Sequence, residues 1–251
     1  MTEFSANLGF LWTDRSLPDA IRAAKAAGFV AVECHWPYDT PAVEVRAALE
    51  ETGLPMLGLN TRRGQPGENG LSALPGREAE ADTAVDEALD YARAIGAGAV
   101  HVMAGFAQGP EAHAAFIRCL SRSCKRAAQE GIMILIEPLN RHDAPGYFLR
   151  TTDQAVEIID EVASDNLKLM FDCYHVGRTE GDVVTRFATL FERIGHVQFA
   201  SVPTRGAPGG GELNYHYVFE QIAAAGWRKP LGAEYKPAGD TDASLEWMQT
   251  L

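Results

Sequence analysis

Cysteine is scarce in this chain: four in 251 residues, Cys34, Cys119, Cys124 and Cys173, with no C-x-x-C pair among them. A disulfide-stapled or cysteine-zinc scaffold is not expected, and reduced thiols of a cytoplasmic protein are. Positive charge is in deficit too. Lys and Arg number 22 against 34 Asp and Glu, a formal net charge of −12, so a nucleic-acid partner is electrostatically disfavoured. Nowhere do about 18 apolar residues run together. The opening Met1-Thr-Glu-Phe-Ser-Ala-Asn7 has no basic or apolar leader pattern, so neither membrane insertion nor export is expected. No glycine fingerprint follows the first strand, where Gly9-Phe-Leu-Trp12 would have to serve. Hydride chemistry on an organic dinucleotide cofactor therefore has no visible seat.

What is present is ordinary globular composition, 46 % hydrophobic and 22 % charged, in a length typical of one (β/α)₈ barrel. Short apolar runs alternate with helical patterns from end to end. Strands are predicted at 4–11, 30–34, 55–60, 99–103, 133–137, 167–172, 196–200 and 230–234. Helices are predicted at 17–27, 41–52, 77–95, 110–129, 152–162, 182–193, 215–225 and 241–251, several closed by glycine. Two Gly-rich loops, 61–76 and 202–211, read as binding loops. Eight β-then-α units with continuous apolar strands predict a single-domain α/β TIM barrel spanning 1–251.

Four successive strands, the fifth to the eighth, carry an oxygen donor at or near the same end. Ile134-Leu-Ile-Glu137-Pro138 ends in a glutamate, Lys168-Leu-Met-Phe-Asp172 in an aspartate and Leu231-Gly-Ala-Glu234 in a glutamate; Gln198 lies in His196-Val-Gln-Phe199. A buried carboxylate is costly unless paired, protonated or bound to a cation. Glu137, Asp172, Gln198 and Glu234 converging on one point predict a hard divalent ion, Mg²⁺ or Mn²⁺. Two glutamates flanking such an ion suit proton transfer beside a carbonyl, the aldose–ketose type of shift, with Glu137 and Glu234 as acid and base. His175, just past the sixth strand, is expected to orient substrate or to hydrogen-bond the metal-site carboxylates, and Arg205, in the loop after the seventh, either grips a substrate carboxylate or is a plain exposed loop arginine. Arg62 or Arg63 on the first long loop would assist. Glu212 and His101 are weaker candidates for substrate contact; a solvated acid and a hydrogen-bonded core histidine are the plainer accounts of them.

Seven stretches carry a resemblance: Leu17-Pro-Asp-Ala, Val32-Glu-Cys-His-Trp-Pro-Tyr-Asp-Thr-Pro, Leu57-Gly-Leu-Asn-Thr-Arg, Pro75-Gly-Arg-Glu, Val100-His-Val-Met-Ala-Gly, Ile136-Glu-Pro-Leu-Asn-Arg and Gly211-Glu-Leu-Asn-Tyr. Across nearly the whole chain they resemble the hydroxypyruvate isomerase family, within the xylose-isomerase-like TIM barrels. The resemblance implies interconversion of hydroxypyruvate and tartronate semialdehyde, acid/base glutamates at 137 and 234, and a divalent ion on residues 137, 172, 198 and 234. Its substrate would be a small 2-oxo-3-hydroxy acid; homo-oligomerisation stays open. The chain departs from the family pattern at Ser201, where an aspartate is expected, and at Cys173. Arg205-Gly-Ala-Pro-Gly209 also stands where Arg-His-Glu-Pro-Gly is expected. These departures keep a one-carbon-longer 2-oxo-tetronate as an alternative; epimerase or dehydratase chemistry on the same metal site is another.

Overall fold

The computed structural model describes residues 2–251. In chain order its strands are β1 (Phe4–Asn7), β2 (Ala31–Glu33), β3 (Leu59–Asn60), β4 (Ala99–His101), β5 (Met133–Ile136), β6 (Leu167–Asp172), β7 (Ile194–Phe199) and β8 (Leu231–Ala233). Its α-helices are α1 (Leu17–Ala26), α2 (Ala42–Thr52), α3 (Glu78–Ile95), α4 (Gly109–Gln129), α5 (Thr152–Val162), α6 (Cys173–Thr179), α7 (Val183–Leu190) and α8 (Tyr215–Ala224).

Local chemistry sets the helix ends. Ser16 opens α1 by accepting the Asp19 N–H, Thr151 opens α5 through Gln154, and Asn214 opens α8 through Tyr217. Gly53 (φ 68°) and Gly96 (φ 77°) close α2 and α3 in the left-handed region, where a side chain would be strained.

All strand pairs are parallel, in the order β2-β1-β8-β7-β6-β5-β4-β3. The two ends of that order meet. Val32 bridges Met56, and the Cys34 N–H donates to Gly58 O at 3.1 Å. The result is a (β/α)₈ barrel, as expected. Its outer wall packs against the helices through a large aliphatic and aromatic core that includes Val32, Val100, Ile134, Phe171 and Val197.

Inside the barrel, Ala99, Leu135 and Met170 form a separate small apolar floor, with Met133 against it. Side chains in a strand alternate faces, so two residues further along each strand point back into the lumen. Those residues are His101, Glu137 and Asp172, and all are buried. The floor is apolar and the layer above it is polar.

Several predicted boundaries move. The first strand stops at Asn7 because the chain turns there, Leu11 N–H donating to Asn7 O. The stretch after Asp172 is helix α6, capped by the Asp172 carboxylate itself through Tyr174 N–H. The predicted helix 182–193 ends as a 3₁₀ turn, Phe191–Arg193. The predicted last helix, 241–251, is two 3₁₀ turns at Asp242–Ser244 and Glu246–Gln249, whose Trp247 plugs the core against Phe4 and Phe199. Among the described residues no helix is long and apolar enough to cross a membrane.

Candidate active site at the carboxyl mouth of the barrel

A cleft of about 330 Å³ opens where β4, β5 and β8 end, lined by His101, Glu137, His175, Arg205 and Glu234, with Phe10, His35, Trp36, Arg63 and Lys236 among its other walls. A larger groove of about 530 Å³ lies at the opposite end of the barrel, beside Thr2, His216 and Trp227. Glu3 and Glu220 line it, but the cluster of three metal-ligating side chains found among the described residues lies elsewhere, and barrel chemistry belongs to the carboxyl end.

Glu137, Asp172 and His175 bring ligand-type atoms within 4.8 Å of one another. His175 Nε2 stands 3.6 Å from Asp172 Oδ2 and 3.8 Å from Glu137 Oε1. Glu234 faces them across Arg205, whose Nη2 donates to Glu234 Oε2 and lies 3.9 Å from Asp172 Oδ2. The guanidinium is sandwiched between Phe10 and Tyr174, 4.9 and 5.1 Å from their ring centres. His35 donates to Glu234 Oε1 at 2.9 Å, and Asn7 does so at 3.2 Å. Arg205 has φ +55°, a strained backbone for a non-glycine residue.

Glu137, Asp172, Gln198 and Glu234 are only 2–5 % exposed, so their electrostatics are steep. Burial, then repulsion from Glu234 and Asp172, pushes Glu137 well above the carboxylate range. Burial and Glu234 push Asp172 up to about 8. Glu234 goes the other way: against burial, Arg205 and then His35 hold it below that range. Burial lowers His101 to about 4, and burial with Arg205 lowers His175 to about 3, so both rings are neutral.

These buried groups leave polar atoms with no hydrogen-bond partner: Glu137 Oε1, Asp172 Oδ2, Gln198 Oε1, His175 Nε2 and both nitrogens of His101. Orphaned acceptors on three adjacent strands, with carboxylates that outnumber the one guanidinium, fit a divalent cation. The donor set is oxygen-rich, as a hard ion requires.

His175 fits that role less well than its position suggests. Its Nδ1 receives the Asn140 backbone N–H at 2.9 Å and the Asn140 amide at 2.8 Å. The Asn140 carbonyl oxygen is already accepting from His142 and Asp143, so its NH₂ faces the ring. A neutral ring whose Nδ1 accepts carries its proton on Nε2, which is then a donor and not a ligand.

The fold agrees with comparisons to known proteins. Residues 21–251 match the xylose isomerase-like TIM barrel family model. The chain is 42 % identical to the 2-oxo-tetronate isomerase of Cupriavidus necator, over 99 % of this chain and 98 % of that one. It is 37 % identical to the hydroxypyruvate isomerase of Escherichia coli, with the same two coverages. The chain belongs to the hydroxypyruvate isomerase family of xylose-isomerase-like TIM barrels. A solved structure described as an AP endonuclease, family 2, from Brucella melitensis superposes with a TM-score of 0.96 at 34 % identity, covering 100 % of this chain and 99 % of that one.

In this isomerase the sequence-predicted residues divide. Glu137, His175, His101, Arg205 and Glu234 line one cleft, and Asp172 and Gln198 lie in the same buried layer. Arg62 and Glu212 stand apart. Arg62 is held on Glu87 by two hydrogen bonds, at 2.6 and 3.0 Å, and rests on the Tyr38 ring. Glu212 is exposed and enters the loop only through its backbone N–H. Its neighbour Arg63, stacked on Trp36, takes the place expected of Arg62. Asn7, Glu33, His35, Asn140, His196 and Lys236 were not singled out in the sequence. The motif Val32-Glu-Cys-His35 carried the signal for two of them, a strand ending in an acid with a histidine two residues on.

Proposed function

We propose that this isomerase interconverts hydroxypyruvate and tartronate semialdehyde, with a divalent cation, Mg²⁺ or Mn²⁺, held by Glu137, Asp172, Gln198 and Glu234. When bound, such an ion would polarise the substrate's keto and hydroxyl oxygens and offset the charge that develops on them. Glu234, kept ionised by Arg205 and His35, is the base that takes a proton from C3. The C–H electron pair becomes the C2=C3 double bond of an enediolate. The C2=O pair moves onto its oxygen, which takes the proton that the C3 hydroxyl gives up as C3 becomes the aldehyde; C2 receives its proton through Glu137, and the proton taken by Glu234 is released to replace it. His175 Nε2–H and Arg205 steady the substrate oxygens. Arg63 and Lys236, neither in an ion pair among the described residues, face its carboxylate from the rim.

One observation carries this reading: Glu137 and Glu234, at the ends of β5 and β8, line one cleft together with His175 and Arg205. The test is solvent deuterium uptake by hydroxypyruvate, followed by NMR in Glu137→Gln and Glu234→Gln. Each substitution should lower exchange and turnover by about 10²–10⁴-fold. A normal rate in either variant removes that residue from proton transfer.

A second reading has its own support. The relative at 42 % identity acts, by its name, on a 2-oxo-tetronate, and Ser201 and Gly206 thin the loop after β7 where the family pattern has larger groups. One extra carbon is worth only about 1–3 kcal/mol in a small pocket. A panel of hydroxypyruvate, 2-oxo-tetronates and ketohexoses with Mg²⁺ and Mn²⁺ separates these substrates, and separates isomerase from epimerase or dehydratase chemistry. Cytoplasmic residence belongs to the same proposal, supported by four cysteines that are all free and buried.

A further inference from the structure

Behind the proposed ligands lies a second buried layer that no step of the reaction uses. Gln198 is an ambiguous ligand. Its amide presents an oxygen or a nitrogen of nearly the same shape, and only the oxygen suits a hard cation. Neighbours decide which end points where. Gln198 Nε2 donates to Glu33 Oε1 at 3.1 Å, and Gln198 Oε1 is left buried with no partner. Glu33 can dictate this because an ionised carboxylate only accepts. Every group around it donates: His196 Nε2 to Oε2, and Asn7 Nδ2 to Oε1 at 3.2 Å. The other Asn7 hydrogen reaches Glu234 Oε1, also at 3.2 Å, tying the layer to the proposed base. β8 leaves room for the junction. A Cβ on Gly232 would stand 2.5 Å from Glu33 Oε1, 2.9 Å from Gln198 Cγ and 3.0 Å from His196 Nε2.

We propose that Glu33 is a positioning residue that locks the Gln198 amide with its oxygen free, and so makes the cation site all-oxygen and selective for hard ions. The inference rests on Gln198 being a ligand, as proposed above. Outer-shell partners of this kind typically govern about 10–100-fold in metal affinity.

The probe is Mn²⁺ alone, added to the metal-free protein and followed by calorimetry, with pulsed EPR of the bound ion. Glu33→Gln puts a donor against the Gln198 amide, permits the flip, and should weaken Mn²⁺ binding by about 10–100-fold. The exchanged pair, E33Q/Q198E, restores a donor facing an acceptor. The amide placed at 33 donates to the carboxylate placed at 198, and His196 can still donate to the amide oxygen; Asn7 Nδ2 loses its contact at 33 and keeps the one to Glu234. It should bind Mn²⁺ within about tenfold of the wild type, whereas Q198E alone sets two carboxylates face to face and should not. A merely structural role for Glu33 would not be rescued by the exchange. Wild-type Mn²⁺ should show no directly bound nitrogen. Unchanged affinity in E33Q overturns the inference, as does a double variant no better than E33Q or a nitrogen coupling in the wild type. Q198A separates the two levels: undiminished Mn²⁺ binding there removes Gln198 from the ligand set and this inference with it. Weakened binding in Q198A beside normal binding in E33Q overturns the role of Glu33 alone. Should E33Q not fold, the exchanged pair and the wild-type spectrum still decide.

Discussion

His175→Asn separates two ways of building the metal site. Asparagine keeps an acceptor near the place of Nδ1, so the two Asn140 donors at 2.9 and 2.8 Å remain satisfied, while the Nε2 group is deleted. If Nε2–H is a donor, as the Asn140 contacts require, the variant loses one hydrogen bond to a charged substrate oxygen. Such a bond contributes about 1.5–3 kcal/mol, which at about 1.4 kcal/mol per decade is roughly a 10- to 150-fold fall in kcat/KM. Mn²⁺ affinity should move by no more than about threefold, within the usual effect of a neutral change nearby. The assay pairs steady-state kinetics on hydroxypyruvate with Mn²⁺ calorimetry of the metal-free variant. A loss of affinity of about 100-fold or more, beyond what an outer-shell partner typically carries, would show Nε2 to be a ligand and refute the tautomer argument.

Other expectations follow from the same geometry. Asp172 is raised to about 8 chiefly by burial, so in the metal-free protein the stability tied to its protonated form is complete below the ordinary carboxylate pKa of 3.8 and is lost as pH rises toward 8. Glu234 is lowered, so its contribution changes only below its ordinary 4.5, outside that window. Below pH 6.5 His101 and His175, lowered to about 4 and 3, contribute the opposite slope, so the melting temperature of metal-free protein should fall between pH 6.5 and 8, with saturating Mn²⁺ flattening the slope; a flat metal-free profile there contradicts the burial argument. Gly232→Ala forces a methyl into the Glu33–Gln198–His196 junction. It should cost about 1–3 kcal/mol of stability in a denaturant titration and weaken Mn²⁺ binding as well; an unperturbed variant would mean the junction is loose. Lys236→Met should raise KM for hydroxypyruvate about fivefold, the roughly 1 kcal/mol of an exposed charge pair, with kcat unchanged. Arg62→Ala should leave KM alone because Arg62 is committed to Glu87; a rise there would reassign the carboxylate contact.

Much of this protein was decided locally. Short apolar strands alternating with capped helices, two of them closed at Gly53 and Gly96, follow from short-range propensity and account for the barrel. The acids at the tips of β5, β6 and β8 were legible because a carboxylate ending an apolar run is conspicuous without any partner in view. Tertiary structure decided the rest. Glu33 meets Gln198 across 165 residues of chain and Asn7 meets Glu234 across 227, and both contacts exist only because the barrel closes β8 onto β1 and β1 onto β2. The His175 tautomer depends on Asn140, 35 residues earlier, and the exclusion of Arg62 depends on Glu87 on α3. The C-terminal segment reads as helix but packs as 3₁₀ turns, since burying Trp247 against Phe4 and Phe199 outweighs local propensity. Side-chain type sets what a residue can donate or accept; which partner it meets, and so which end of an amide or an imidazole faces the cleft, is set by contacts that no local pattern encodes.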